Sequence, residues 1–214
     1  MYTVFVLGNI ASGKSTACRY LASLGGYYID LDELAKSLYV PGSELVLSIA
    51  REFGLDVLDA QGSIRRDVLA RRAFVSPEAT ARLNALVHPC VIEQLSIRLL
   101  GPCCCTVPSL KNPFAVVEVS APRGFEDAFG LADEVIAITA PVEVRRARAI
   151  ERGMTASDFD ARAERQPSED ELRSMASLSI DNSRADDALF DALRAWALSR
   201  GFIDTQAGKG VPRD

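Results

Sequence analysis

Residues 8–15 read Gly8-Asn9-Ile10-Ala11-Ser12-Gly13-Lys14-Ser15, a G-x-x-x-x-G-K-[ST] spacing set directly behind an apolar run over 2–7 and ahead of a helical stretch over 14–24. Strand, glycine turn and helix in that order commit the chain to an α/β layering, because a strand apolar on both faces needs helices to cover each side. The residue types also define a chemistry. Two glycines let the backbone curl until successive N–H groups converge on phosphate oxygens, the lysine adds a cation at the outer phosphates, and the serine hydroxyl can ligate Mg²⁺. A helix N-terminus is itself an anion site. Gly8 through Ser15, with Thr16 next, therefore form the candidate nucleotide-triphosphate cradle; Lys14 is the candidate charge-neutralising group and Ser15 the candidate Mg²⁺ ligand.

Composition narrows the class. With 214 residues, 48% of them hydrophobic, the chain can build one α/β domain with at most a small insertion. No apolar stretch approaches the roughly 20 residues of a membrane span, and the N-terminus lacks the basic start and small-residue cleavage site of an export signal. A cytoplasmic protein with no membrane partner is expected, as a monomer or weak homo-oligomer. The net charge of −5 argues against nucleic acid as a partner and leaves small anions possible at a locally basic cleft. Five cysteines (Cys18, Cys90 and the run Cys103-Cys104-Cys105) without an export signal point to free thiols. His88 is the only histidine and no pair has C-x-x-C spacing, so the triple run reads as part of a linker between Leu100 and Phe114 rather than as a metal site.

Along the chain, residues 26–30 read as a second strand ending in acid, followed by helices over 34–39 and 43–53 and a turn at Gln61-Gly62. Residues 64–74 form an arginine-rich helix, and Ser76-Pro77-Glu78 is an N-terminal signal for a helix over 78–87. His88-Pro89 predicts a break before a further helix over 91–100. Strands follow at 115–119 and 134–138 with helical sequence over 124–131 between them. Pro141 opens a helix to Arg152, Gly153 ends it, and Ser157 with Asp160 resembles a cap for another. A weak strand at 177–181, an amphipathic helix over 186–199 and a frayed tail from Thr205 complete the chain. Alternating strands and helices mean a parallel sheet flanked by helices.

Ligands in such sheets sit beyond the carboxyl ends of the strands, where Asp30 and Asp32 fall. A carboxylate there could take a proton from a substrate hydroxyl; both acids would equally suit the cap of the helix that begins near Leu31. Arg145, Arg148 and Arg152 share one helical face, fit to hold a polyphosphate as part of a closing lid with Gly153 as hinge and Arg162 and Gln166 behind it. The same stripe could be a solvated face balanced by Glu143 and Glu151. Arg65 and Arg66 lie in a stretch between the second and third strands far longer than a crossover needs, where an acceptor-binding insertion would sit. A lone histidine such as His88 is more often a structural hydrogen-bonding group than a catalyst.

Taken in order, these residues resemble the dephospho-CoA kinase family over nearly the whole chain. The resemblance is carried by the phosphate loop with Ser15-Thr16, Ile29-Asp30-Leu31-Asp32 with Ala35, Gly62-Ser63-Ile64-Arg65-Arg66, and Phe74 and Leu83-Asn84 before His88-Pro89. It continues through Pro122 with Phe125-Glu126, the arginines into Arg162 and Gln166, and Ile180-Asp181-Asn182. It implies an α/β P-loop kinase core with a helical acceptor-binding insertion and a lid. The core would span 1–40, 112–140 and 176–204, the CoA-binding insertion about 41–111, the lid about 141–175 and the frayed tail 205–214. It further implies phosphoryl transfer from MgATP to the ribose 3′-hydroxyl of dephospho-CoA. By that likeness Asp32 is the base, Lys14 and the loop amides hold ATP, Ser15 reaches Mg²⁺, Arg148 belongs to the lid, and Arg65, Arg66 and His88 border the acceptor.

Family members usually carry glycine where Asn9 and Ala11 stand. Glycine tolerates backbone angles that a side chain disfavours, and asparagine visits positive φ more readily than most residues. Pro122 is followed by Arg123-Gly124 rather than two leucines. The alternatives to the family activity are a nucleoside or nucleoside-monophosphate kinase, which would not need Arg65, Arg66 and His88-Pro89, and a nucleotide-binding module with weakened catalysis.

Overall fold

The apolar run at the N-terminus becomes β1 (Tyr2–Leu7), the middle strand of a five-stranded parallel sheet in the order β2-β3-β1-β4-β5, with β2 (Tyr27–Asp30), β3 (Phe114–Val119), β4 (Glu134–Thr139) and β5 (Leu178–Asp181). The computed structural model describes residues 1–100, 112–184 and 186–204. They fall into two compact units, one of residues 1–30 with the described residues from 112 onward, the other of residues 31–100. The cysteine run at 103–105 and the tail from Thr205 lie outside the described residues; Cys18 and Cys90 are free thiols.

Every residue of β3 is buried, as expected of an inner parallel strand covered on both faces. On one face α1 (Lys14–Ser23) contributes Ala17, Cys18 and Leu21 to a core with Val4, Val6, Phe114 and Val116. Leu193 and Trp196 from the C-terminal helix join it, and Trp196 packs edge-on to Phe114 at 5.6 Å. Each such valine, leucine or phenylalanine side chain removed from water contributes about 1.5–3 kcal/mol. Burial pushes the Cys18 thiol well above its ordinary value, and the charge of Glu118 adds to this. Where β4 begins, the buried carboxylate of Glu134 accepts hydrogen bonds from Tyr2 Oη (2.7 Å), Trp196 Nε1 (3.1 Å) and Arg200 Nε (3.0 Å). The winding changes direction at β1, so the loop that follows it opens at the switch point of the sheet.

The second unit is helical: α2 (Leu31–Ser37), α3 (Glu44–Phe53), α4 (Arg66–Ala73) and α5 (Pro77–Leu100). Ser43 caps α3 by accepting from the Val46 N–H, and Gly54 ends it at φ 99°. Two arginines of α4 serve structure: Arg72 grips Asp56 with both guanidinium nitrogens at 2.7 and 2.5 Å, and Arg71 pairs with Asp67 one turn back. The expected break at His88-Pro89 does not occur. α5 runs unbroken through Pro89, because its buried stripe of Ala79, Leu83, Val87, Val91, Leu95 and Leu99 rewards a continuous helix enough to absorb one missing backbone hydrogen bond.

Back in the first unit follow α6 (Val142–Glu151), α7 (Ala156–Ala163), α8 (Glu169–Met175) and α9 (Ala188–Ser199). Residues 126–131 form a 3₁₀ segment rather than an α-helix. The cap of α7 is Thr155, which accepts from the Asp158 N–H; it lies two residues ahead of the expected Ser157. Ser168 and Glu171 form a reciprocal capping box at the start of α8. Among the described residues no helix is long and apolar enough to cross a membrane.

Candidate active site

The loop between β1 and α1 is built around its two outer glycines. A Cβ on Gly8 would stand 2.5 Å from Ser12 Oγ and 2.9 Å from the Ile138 carbonyl oxygen, and Gly13 caps α1 in the left-handed region at φ 100°. Asn9 keeps negative φ, so the expected use of asparagine's left-handed tolerance does not apply; Ala11 is the residue that turns left-handed, at φ 60°.

Lys14 is buried, and its ammonium donates to the Glu118 carboxylate and to Ser120 Oγ (2.9 Å). Ser15 Oγ donates to Glu118 Oε1 at 2.6 Å, and the Tyr28 hydroxyl donates to Oε2 at 2.5 Å. Burial works to raise the Glu118 carboxyl. The Lys14 charge and the hydrogen bonds from Lys14, Ser15 and Tyr28 outweigh it, so the group is held below the usual carboxylate range. Tyr28 is pushed the other way, first by burial and then by its bond to Glu118, and stays protonated. Ser15 and Glu118 offer a hydroxyl and a carboxylate, hard oxygen donors that suit Mg²⁺, which is commonly held by one or two protein oxygens together with phosphates and water. The described residues contain no cluster of three or more His, Cys, Asp or Glu side chains fit to enclose a metal without such help. Sequence reading missed Glu118. The available signal was one acid inside the otherwise apolar run Phe114-Ala115-Val116-Val117-Glu118-Val119.

A pocket adjoins the loop, lined by Gly13, Thr16, Arg148, Arg152, Asn182, Leu189 and Phe190 among others. Arg148 is anchored there, donating to the backbone carbonyls of Asn182 (2.8 Å) and Arg184 (3.2 Å), while Asn182 Nδ2 donates to the Ser12 carbonyl at 2.7 Å. The three arginines expected to act as one stripe divide. Arg145 is buried beneath the loop, its Nε on the Ala140 carbonyl and its guanidinium 5.9 Å from the Phe159 ring centre. Arg146 pairs with Asp160. In the helical unit Asp32 is exposed in the first turn of α2, two residues past the end of β2; Arg65 is the N-cap of α4 and Arg66 its first residue; His88 is partly buried in α5.

The model of the dephospho-CoA kinase family matches residues 2–187. The chain belongs to the dephospho-CoA kinase family. A member from Corynebacterium diphtheriae is 36% identical over 191 residues, covering 88% of this chain and 92% of its own. Among solved structures, a crystal structure from Thermus thermophilus shares 29% identity at a TM-score of 0.73, covering 92% of this chain and 97% of that one. A dephospho-CoA kinase from Campylobacter jejuni, at 23% identity and a TM-score of 0.66 over 94% of this chain and 98% of its own, shows the same fold. As a family member the chain is a kinase, a phosphotransferase with ATP as donor, built on a P-loop α/β core.

Proposed function

We propose that the protein transfers the γ-phosphoryl group of ATP to the ribose 3′-hydroxyl of dephospho-CoA, giving coenzyme A and ADP in the cytoplasm. The observation that carries this reading is the convergence of Lys14 and Ser15 on Glu118 at the switch point of a family-matched sheet. Lys14 and the loop amides up to Thr16 would hold the outer phosphates, and the adjoining pocket would take the nucleoside, with Phe190 and Leu189 as its apolar wall and Arg148 and Arg152 on the phosphate side. Mg²⁺, held by Ser15 and Glu118, would supply charge neutralisation at the transferring group. Asp32 would accept the hydroxyl proton, and Arg65, Arg66 and His88 would bind the acceptor within the helical insertion. Residues 141–175 would act as the lid. Most of the rate would come from positioning and charge neutralisation, since a loose phosphoryl-transfer transition state asks little covalent help of the protein.

The test is ADP release with MgATP and dephospho-CoA, adenosine or AMP as acceptor, with Asp32→Asn beside the unaltered protein. Turnover on dephospho-CoA alone, reduced about a hundredfold or more in the variant, is expected for removal of a general base. ADP binding without turnover on any acceptor would leave a nucleotide-binding module instead.

A further inference from the structure

Ala11 is the one non-glycine residue at positive φ among the described residues. The left-handed region depopulates an L-residue on the order of tenfold or more. Something must hold it there, and the two residues ahead of it are fastened from outside the loop. Asn9, 6% exposed, donates from Nδ2 to the Pro167 carbonyl at 2.8 Å. The Ile10 N–H donates to Gln166 Oε1 at 2.9 Å, and Arg145 Nη1 reaches the Ile10 carbonyl at 3.5 Å. The Ser12 N–H then closes the turn over Ala11 onto the Asn9 carbonyl at 3.1 Å.

We propose that Asn9 and Gln166 are positioning residues that hold Ala11 in its left-handed backbone before nucleotide arrives, so that the loop amides are already aimed at the phosphates. The support comes from the turn between α7 and α8, whose Gln166 and Pro167 accept the bonds from Ile10 and Asn9. The inference rests on the phosphate-loop reading above.

Its test is ADP affinity, measured by calorimetry without acceptor, in the unaltered protein, Asn9→Ala, Ala11→Gly and the pair together. One lost hydrogen bond at a buried amide is worth about fivefold. Asn9→Ala is therefore expected to weaken ADP binding about fivefold. Glycine takes the left-handed backbone without penalty, so the Ala11→Gly background should shrink the cost of Asn9→Ala to less than about twofold. A loss as large or larger in the glycine background, or no loss in either, overturns the proposal. Should thermal melts show that Asn9→Ala does not fold, Gln166→Ala, at a partly exposed position, runs the same cycle with the same expectations. If the unaltered protein fails to bind ADP, the phosphate-loop reading falls and this proposal with it. If it binds and the two sites show no coupling, only this proposal falls.

Discussion

Replacing Glu118 by glutamine separates two opposed roles of one carboxylate. It holds the Lys14 ammonium and the Ser15 hydroxyl in a site where the lysine and glutamate side chains are only 9% and 4% exposed. An incoming phosphate must take Lys14 away from it. A hydrogen bond to a charged partner contributes about 1.5–3 kcal/mol net, and each 1.4 kcal/mol is about tenfold in affinity. Glu118→Gln keeps the shape and removes the charge, so Mg²⁺-free ADP is expected to bind about tenfold to a hundredfold more tightly. With Mg²⁺ present the sign reverses, because the same carboxylate supplies an oxygen donor for the ion; binding of MgADP should weaken about tenfold. Calorimetry in EDTA and in saturating Mg²⁺ reads both arms on one preparation. A folded variant whose EDTA affinity is unchanged or weaker would refute the competition between Glu118 and phosphate for Lys14.

Three further outcomes follow from the packing. Glu134→Gln loses charged acceptor capacity toward Tyr2 and Trp196, worth about 2 kcal/mol or roughly 4–8 °C in Tm, with little counted for the half-exposed Arg200. Burial raises the Glu134 carboxyl but the bonds from Arg200, Tyr2 and Trp196 bring it below its ordinary 4.5, so its contribution is full above that pH and lost as pH falls through the lower folded value. The two melting curves should therefore converge in acid, and a constant gap down to pH 3 would contradict this. Gly8→Ala drives a methyl into Ser12 and the Ile138 carbonyl, so ADP affinity should fall at least about tenfold with far-ultraviolet dichroism unchanged; normal binding would mean the loop is not shaped as described. Pro89→Ala restores an N–H inside α5 and should raise Tm by about 2–4 °C, a rise of roughly 1 kcal/mol; a lower Tm would show that the proline relieves rather than imposes strain.

The sheet and its loop were legible because their signals are local: an apolar run, then glycines and a lysine at fixed spacing, can do little else. His88-Pro89 falls under a steric rule that disfavours helix for the residue before proline, but a stripe of six buried apolar side chains overrides it, which no window around the proline reveals. Asn9 and Ala11 stood out as non-glycine residues, yet only backbone angles distinguish the one that is turned left-handed from the one that makes a distant bond. The arginines of α6 share a periodicity but have separate partners, since Arg145 lies under the loop and Arg148 at the pocket. Glu118 was hidden by its neighbours: an acid in a buried strand reads as noise until Lys14 and Ser15 at the start of α1 and Tyr28 from β2 arrive from two other places in the chain.

The register of the sheet also sets an order of events during synthesis. Tyr2 pairs with Phe114, and Val4 with Glu134, so both neighbours of the first strand are encoded more than a hundred residues after it. At ribosomal speeds of about 5–20 residues per second, β1 waits on the order of 5–20 s for the first of them. Residues 31–100 meanwhile form a unit contiguous in sequence, whose short-range helical contacts can close as they emerge. The strand that carries the phosphate loop is thus the first of the five to be made and stays without either neighbour for more than a hundred residues, and a chain halted before residue 114 would own its glycines and lysine without the sheet that shapes them.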